Sequence, residues 1–273
     1  RWGEVAAPNV FICFRLKKGY SDGFFQSCFE KNDHGIQLKR HITSGARSNG
    51  LLNISRDTFF SVAILTPSPA EQQKIAECLG SLNELIGAEN QKLDALKAHK
   101  KGLMQQLFPR EGEILPRLRF PEFQSAPEWV VNSVGDLIEA GLLFPPKDGN
   151  HDNIHPKSSD YVAKGIPFIM ASDLNGGLIA TVTCHFISQK LADTLQKGFA
   201  KEGDVLLSHK GTVGEVAVVR KIRTPYLMLT PQVTYYRVKE ANKLSNEFLA
   251  QFFLSAAFQS HLLKVSGGGT RAY

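Results

Sequence analysis

The segment SPAEQQKIAECLGSLNELIGAENQKLDALKAHKKGLMQQLF, residues 68–108, carries the strongest structural signal in this chain of 273 residues. Ser68, Pro69 and Glu71 form a capping box, with Ser at the N-cap, Pro at the first helical position and Glu three residues after the cap. Pro109 cannot continue a helix and sets the far end. The sequence therefore predicts one helix between these stops, roughly 55–60 Å long at about 1.5 Å per residue.

Apolar residues in this helix recur at alternating spacings of four and three, which is typical of a coiled-coil seam. The apolar seam positions are Ile75, Leu79, Leu82, Ile86, Leu93, Leu96, Leu103 and Leu107. Three glycines lie between the two stops, and each lowers helicity by about 1 kcal/mol relative to Ala. We therefore expect the helix to need a partner helix, and the alternative is a long helix folded onto its own domain.

Short apolar runs punctuated by Gly, Pro and Asn follow a proline-rich connector, and they predict strands of a mixed sheet joined by polar loops. The predicted strands lie within residues 166–170, 204–208, 215–220 and 232–238. A single amphipathic helix is predicted over residues 245–264. The fold class is therefore α+β, with mixed-sheet domains joined by a long coiled-coil helix.

The segments before and after the long helix share a weak internal repeat. Residues 14–17 match residues 236–239, and from Ser21 onward the match continues without gaps at an offset of 224. Ser21, Phe24, Phe29, Leu38, Gly45 and Arg47 coincide with Ser245, Phe248, Phe253, Leu262, Gly269 and Arg271. The shared order is a strand, an amphipathic helix and a Gly-containing loop with an Arg, although chance alignment is the alternative.

The net charge of +6 lies outside the long helix. Residues 71–108 hold five basic and five acidic side chains, residues 1–69 hold nine and five, and residues 109–273 hold eighteen and sixteen. This distribution suits two modules that face a polyanion across a neutral spacer. No run reaches the roughly 18 apolar residues of a membrane span, and the four cysteines show no paired spacing, so we expect a cytoplasmic protein.

No catalytic signature is found, and neither a phosphate-binding loop nor a dinucleotide-binding glycine motif is present. His151 to His155 imitate the HExxH zinc motif, but the flanking prolines and glycine favour a loop where that motif requires a helix. Ser208 and His209 are neighbours in a predicted strand, so their side chains point to opposite faces and cannot share a proton. We expect neither a metal site nor enzyme activity.

Polar loops at the strand ends carry the side chains that bond to base edges and phosphates. On loop chemistry alone, DNA contacts are predicted for Arg47, Ser172, Lys210, Thr212 and Arg271. A solvated loop is the alternative for each of them.

Several motifs resemble those of type I restriction–modification specificity subunits. Residues 67–76, PSPAEQQKIA, are similar to the beginning of the spacer helix of that family, and residues 101–109, KGLMQQLFP, resemble its end. Residues 118–123, LRFPEF, followed by Trp129, resemble the start of a second recognition domain. Residues 203–208, GDVLLS, are similar to its framework, so that the resemblance covers nearly the whole chain.

The resemblance implies two target-recognition domains separated by two long antiparallel helices, with each domain reading one half of a bipartite double-stranded DNA site. It implies a non-catalytic subunit without a cofactor of its own. Its partners would be methyltransferase subunits, which use S-adenosylmethionine, and translocating endonuclease subunits. The alternatives are a coiled-coil scaffold that binds proteins without DNA specificity, and an enzyme of the methyltransferase or nuclease type.

On this plan residues 1–67 are the C-terminal part of a first recognition domain, residues 68–109 are the spacer helix, and residues 110–273 are a second recognition domain. The chain departs from the family pattern, because a full-length member has a complete first domain and a second spacer helix. We expect a chain of this extent to recruit that helix from another molecule or to dimerise through its own.

Overall fold

The computed structural model describes residues 12–41, 54–151 and 154–266 of the chain. The chain forms two compact units, residues 1–98 and residues 99–273. The first unit is helical in its described part, whereas the second combines helices with mixed β-sheets. This combination confirms the predicted α+β fold class.

Within residues 12–41 and 54–68, three short helices precede the long one. They are α1 (Asp22–Glu30), α2 (Asp33–Lys39) and α3 (Arg56–Phe60), followed by α4 (Pro69–Leu107). Ser21 caps α1, because its hydroxyl accepts a hydrogen bond from the backbone N–H of Phe24. Aromatic rings pack between α1 and α3, where the ring centroids of Phe29 and Phe59 lie 6.1 Å apart.

The helix α4 has 39 residues and lies between the predicted stops at Ser68 and Pro109. The Ser68 hydroxyl accepts a hydrogen bond from the Glu71 backbone N–H at 3.4 Å, as an N-cap requires. Gln72 in the first turn is buried, and its side chain accepts from the backbone N–H of Ser21 at 3.2 Å. The prediction of one long helix is confirmed, and its start is fixed against the segment that caps α1.

Eleven strands are found among the described residues of the second unit. They are β1 (Lys147–Asp148), β2 (Tyr161–Val162), β3 (Ile166–Ile169), β4 (Leu174–Asn175), β5 (Leu178–Ile179), β6 (His185–Ile187), β7 (Phe199–Ala200), β8 (Val205–Ser208), β9 (Val216–Val218), β10 (Leu227–Leu229) and β11 (Val233–Tyr236). The accompanying helices are α5 (Val134–Glu139), α6 (Gln189–Ala192), α7 (Asn246–Phe253) and α8 (Ala256–Ser266).

Two larger sheets and a hairpin organise these strands. The first sheet has the order β1-β11-β8-β9 and is antiparallel throughout. The second has the order β2-β6-β3-β10-β7 and contains one parallel pair, β3 with β10. The four predicted strands correspond to β3, β8, β9 and β11, so the prediction of a mixed sheet is confirmed.

The core of the second unit lies between these sheets and the C-terminal helices. All residues of β3 and of β8 are buried, as expected for short continuous apolar runs. Leu249 and Phe253 of α7 pack in one cluster with Val205 and Val216 of the first sheet. None of the described helices combines the length and the apolar composition of a membrane span.

A buried ion pair joins the residue before β8 to the residue after β11. Arg237 donates to both carboxylate oxygens of Asp204, from Nε at 2.8 Å and from Nη2 at 2.7 Å. Its guanidinium also lies 4.7 Å from the ring centre of Tyr235. Because the Asp204 side chain is 1% exposed, its charge depends on this guanidinium for compensation.

The prediction of a single helix over residues 245–264 is wrong, because α7 ends at Phe253 and α8 begins at Ala256. Ser255 is buried between them, and its hydroxyl accepts a hydrogen bond from the Phe258 backbone N–H at 3.4 Å. A serine that satisfies a free N–H three residues later acts as an N-cap and starts a new helix.

The helical part of the internal repeat is confirmed. The helices α1 and α7 begin at equivalent positions, Asp22 and Asn246, and each follows a serine whose hydroxyl caps the helix. A second helix follows in both copies, α2 in the first unit and α8 in the second. The strand part is wrong for the first copy, because residues 14–17 form no strand within the described ranges.

Candidate nucleic-acid interface

Strand directions in the second unit bring two polar loops to the same edge. Because β3 and β10 run parallel, their C-terminal ends lie together. Residues 170–173 follow β3 and residues 230–232 follow β10. These two segments therefore leave the sheet side by side.

The first sheet adds two more loops at the corresponding strand ends. Ser208 at the end of β8 pairs with Val233 at the start of β11, so the loop of residues 209–214 begins next to residues 230–232. Asp148 at the end of β1 pairs with Thr234. We name the resulting surface the loop edge, and it comprises residues 148–151, 170–173, 209–214 and 230–232.

The loop of residues 209–214 is held by a buried serine beneath it. Ser208 donates its hydroxyl proton to the Thr212 carbonyl oxygen at 2.5 Å and accepts from the Glu215 backbone N–H at 2.9 Å. Two glycines of this loop have φ values of 75° and 94°, which lie in the left-handed region that favours glycine. The side chains of Lys210 and Thr212 are exposed on this fixed loop.

Ser172 lies exposed in the neighbouring loop. This turn is closed by Asp173, whose carboxylate accepts from the Met170 backbone N–H at 2.8 Å. A Cβ atom added to Gly211 would lie 3.9 Å from the Ala171 Cβ atom, so the two loops are in van der Waals reach. The structure thus brings three predicted contact residues, Ser172, Lys210 and Thr212, to one edge.

The other two predicted contact residues, Arg47 and Arg271, lie outside the described residues. Their roles stay predictions.

A charged cluster that loop chemistry did not predict lies on the loop edge. Asp148 accepts from the Lys197 Nζ atom at 2.5 Å, and its other oxygen lies 2.6 Å from the His151 Nε2 atom. Burial raises the pKa of Asp148, but the hydrogen bonds from Lys197 and His151 outweigh it and leave that pKa below its ordinary value. Asn150 is buried and donates to the Lys197 carbonyl oxygen at 2.7 Å, which fixes Lys197 in place.

His209 stands at the centre of this edge, and its Nδ1 atom lies 3.1 Å from the Thr234 hydroxyl. Burial lowers the pKa of His209, and the positive charge of Lys210 lowers it further, while Asp148 acts in the opposite direction. Its imidazole is therefore neutral at pH 7.

Acidification should destabilise the fold through His209. In the unfolded chain this imidazole has a pKa of about 6.5, so below about pH 6.5 the unfolded chain binds a proton before the folded chain does. The free energy of unfolding then decreases as pH falls. We expect His209→Gln to weaken this decrease between about pH 7.5 and 5.5 in thermal unfolding experiments. The matched change His261→Gln, at an exposed site on α8, should leave it intact, and an unaltered pH dependence in His209→Gln would contradict the assignment.

The two histidine motifs do not bring reactive groups together. The His155 ring packs 5.6 Å from the ring of Phe168, whereas His151 contacts Asp148. Ser208 and His209 have separate hydrogen-bond partners, but they are not neighbours within a strand as predicted, because β8 ends at Ser208. Among the described residues, no group of three or more His, Cys, Asp or Glu side chains is arranged to hold a metal ion.

The predicted helix-pairing residues form an exposed apolar stripe along α4. Leu79, Leu82, Ile86, Leu93, Leu96 and Leu103 are all between 36% and 58% exposed. Ile75 and Leu107 at the two ends are partly buried. Exposure of this extent is unusual for large apolar residues that recur on one helix face, so the stripe is a candidate interaction surface and not part of a folded core.

Comparison with known proteins identifies the family of the second unit. Residues 127–273 match the family "Type I restriction modification DNA specificity domain". The match includes every loop of the loop edge.

Two relatives extend the comparison to the whole chain. The type I restriction enzyme MjaVIII specificity subunit of Methanocaldococcus jannaschii is 23% identical over 292 aligned residues, which cover all of this chain and 64% of that protein. The solved S subunit of a type I restriction–modification system from M. genitalium has a TM-score of 0.50 at 14% identity, over 92% of this chain and 58% of that one.

The solved HsdS subunit from Thermoanaerobacter tengcongensis has a TM-score of 0.37 at 18% identity, over 92% of this chain and 55% of that one. The chain thus spans between 55% and 64% of the length of these three relatives. By the match over residues 127–273, this chain belongs to the family of type I restriction–modification DNA specificity domains.

Proposed function

We propose that this chain is the DNA-reading specificity subunit of a type I restriction–modification complex. The loop edge is the observation that carries this proposal, because Ser172, Lys210 and Thr212 are exposed there beside Lys197 and His209. Hydroxyl, ammonium and imidazole groups bond to phosphates and to base edges. Buried strands behind the loops hold these groups in a fixed arrangement.

In this proposal the chain supplies recognition and its partners supply the chemistry. It would direct methyltransferase and endonuclease subunits to a bipartite double-stranded DNA site in the cytoplasm. The methyltransferase would bind S-adenosylmethionine, so the chain needs no cofactor of its own and is not itself an enzyme. The helix pairs α1–α2 and α7–α8 support two equivalent domains, residues 1–67 and residues 110–273, with residues 68–109 as the spacer.

We also propose that the exposed stripe of α4 pairs with a second long helix, supplied by another copy of the chain. The internal repeat supports this. Phe24 is 6% exposed in the first unit, where Gln72 and Ala76 of α4 lie against α1, whereas the equivalent Phe248 is 41% exposed. If a second helix packed against α7 as α4 packs against α1, Phe248 would be buried as Phe24 is.

Selection from a library of random duplexes tests the proposed function. The chain, assembled with its methyltransferase subunit, should enrich two short half-sites separated by a fixed gap. Its affinity should also fall steeply with salt, because phosphate contacts release counterions. A protein-binding scaffold would enrich no sequence, and an enzyme would form product when the isolated chain is incubated with duplex and a methyl donor or magnesium.

The change Lys210→Ala should weaken binding of the selected duplex by about 1–3 kcal/mol if the ammonium contacts a base. Lys164→Ala is the matched control, since Lys164 is also exposed but precedes β3 and so lies at the opposite edge of the sheet. Titration of labelled duplex measures both. If the two variants bind the duplex with equal affinity, Lys210 does not contact the DNA.

A further inference from the structure

One glutamine connects the two loops that carry the predicted contact residues. Gln232 lies in the turn between β10 and β11. Its backbone oxygen accepts from the His209 N–H at 2.9 Å, and its side-chain oxygen Oε1 accepts from the Ala171 N–H at 3.5 Å. Gln232 therefore contacts both the loop after β8 and the loop after β3.

The strand pairing explains why this turn must lie there. The strand β10 runs parallel to β3 in one sheet, and β11 runs antiparallel to β8 in the other. The turn that joins β10 to β11 passes from the sheet that contains β3 to the sheet that contains β8, between the ends of these two strands. Any residue at this turn has a fixed position between the two loops, independent of the sequence of either loop.

The loop of residues 209–214 is also held at its far end. Gln259 of α8 donates from Nε2 to the carbonyl oxygens of Gly214 at 2.9 Å and Phe253 at 2.7 Å. With one end attached to Gln232 and the other to Gln259, the loop has little freedom to shift as a whole. Its position relative to Ser172 then depends on the Gln232 contacts.

The amide nitrogen of Gln232 remains available at this position. A Cβ atom added to Gly211 would lie 3.6 Å from it, so Nε2 lies beside the loop that presents Lys210. In the part of the chain that the structure describes, this nitrogen has no hydrogen-bond acceptor. The half-buried side chain thus presents amide N–H groups on the loop edge, and its oxygen is directed to Ala171.

We propose that Gln232 determines sequence specificity at the loop edge, both by positioning the two loops and by donating a hydrogen bond to a base. This inference rests on the proposed DNA-reading function. Oε1 is directed at the Ala171 N–H, 3.5 Å away, so Nε2 is the side-chain group that we expect to contact a base, and as a donor it selects a base edge with an acceptor. In the major groove these acceptors are N7 and O6 of guanine, N7 of adenine and O4 of thymine.

Two variants separate positioning from base contact. Gln232→Leu removes the side-chain contact with Ala171 and the amide donor at similar size, and it keeps the backbone contact with His209. Gln232→Glu keeps an oxygen for the Ala171 N–H but replaces the donor by an acceptor, so the preferred base edge should change to one with a donor, as on cytosine N4 or adenine N6. Gln124→Leu is the matched control, because Gln124 is exposed in the connector before α5.

The experiment is selection of a random duplex library by the assembled complex with each variant, together with thermal unfolding of each chain. We expect Gln232→Leu to lose discrimination at one base pair of one half-site by roughly tenfold or more, while the other half-site keeps its sequence. We expect Gln232→Glu to change the preferred base at that same position. Gln124→Leu should enrich the original site.

The possible results distinguish the inference from the function on which it rests. Failure of the unchanged chain to enrich any sequence overturns the proposed function. Enrichment of the same half-sites by the unchanged chain, Gln232→Leu and Gln232→Glu overturns the role of Gln232 alone. Weaker binding with an unchanged base preference in both variants also overturns it, since that result reports only a structural role. If Gln232→Leu fails to fold, the base preference of Gln232→Glu tests the inference, because this variant keeps an oxygen for the Ala171 N–H.

Discussion

Replacement of Asp204 by Ala should lower the free energy of unfolding of the second unit by about 3–5 kcal/mol. The carboxylate is 1% exposed and accepts two hydrogen bonds from Arg237. Its removal leaves a partly buried guanidinium without its counter-charge, and it also removes the acceptor for the Lys201 backbone N–H at 2.7 Å. Urea denaturation followed by tryptophan fluorescence and circular dichroism measures the loss.

The exposed pair between Arg220 and Glu247 is the matched control, because the same two chemical groups meet there in a similar two-bond arrangement. Their side chains are 69% and 47% exposed, so Glu247→Ala should cost at most about 1 kcal/mol. The double change Asp204→Leu with Arg237→Met should lower the free energy of unfolding by less than Asp204→Ala alone, because it leaves no unpaired buried charge. If Asp204→Ala and Glu247→Ala lowered the free energy of unfolding by similar amounts, burial would not determine how much each ion pair contributes to stability.

The long helix could be predicted from sequence because its signals are local. A cap, a proline at each end and the 4-3 spacing of leucines all lie within residues 68–109, and each acts through backbone geometry over one or two turns. Ser255 is also a local N-cap signal, but the apolar residues on both sides of it resemble one continuous helix. The break between α7 and α8 was therefore missed although its cause is local.

The loop edge could be predicted only in part, because its assembly depends on pairings between distant strands. The chemistry of their own loops predicts Ser172 and Lys210 as contact residues. Gln232 has no such signal, since its importance comes from the parallel pairing of β3 with β10, which are about 60 residues apart in sequence. Lys197 and Asp148 are 49 residues apart in sequence, so local sequence patterns cannot predict their contact either.

In the second unit, buried and hydrogen-bonded residues carry the exposed residues that we propose contact DNA. Asp204 just before β8 and Ser208 at its end are buried and hydrogen-bonded, whereas Lys210 and Thr212 in the following loop are exposed. Under the proposed function, a substitution in the exposed loop would alter base contacts at little cost in stability.

Replacement of Leu82, Ile86 and Leu93 by Asp should abolish pairing of α4 with a second copy. Burial of one Leu or Ile side chain contributes about 1.5–3 kcal/mol, and a carboxylate in an apolar seam adds a desolvation cost. Three lost contacts amount to at least about 5 kcal/mol, which corresponds to more than about a thousandfold in the association constant. Light scattering and sedimentation at micromolar concentration should show the unchanged chain associated and the variant monomeric.

The control for this experiment is Ser81→Asp with Ala88→Asp and Ala95→Asp. These three residues lie seven apart on the outer face of α4 and are exposed, so the control variant gains the same charge without altering the seam. Circular dichroism should show equal helix content in both variants. If the seam variant and the control associate alike, or the unchanged folded chain is monomeric, α4 does not pair through this stripe. Loss of association in the seam variant alone would instead identify the leucines that sequence spacing predicted as the surface that joins two copies.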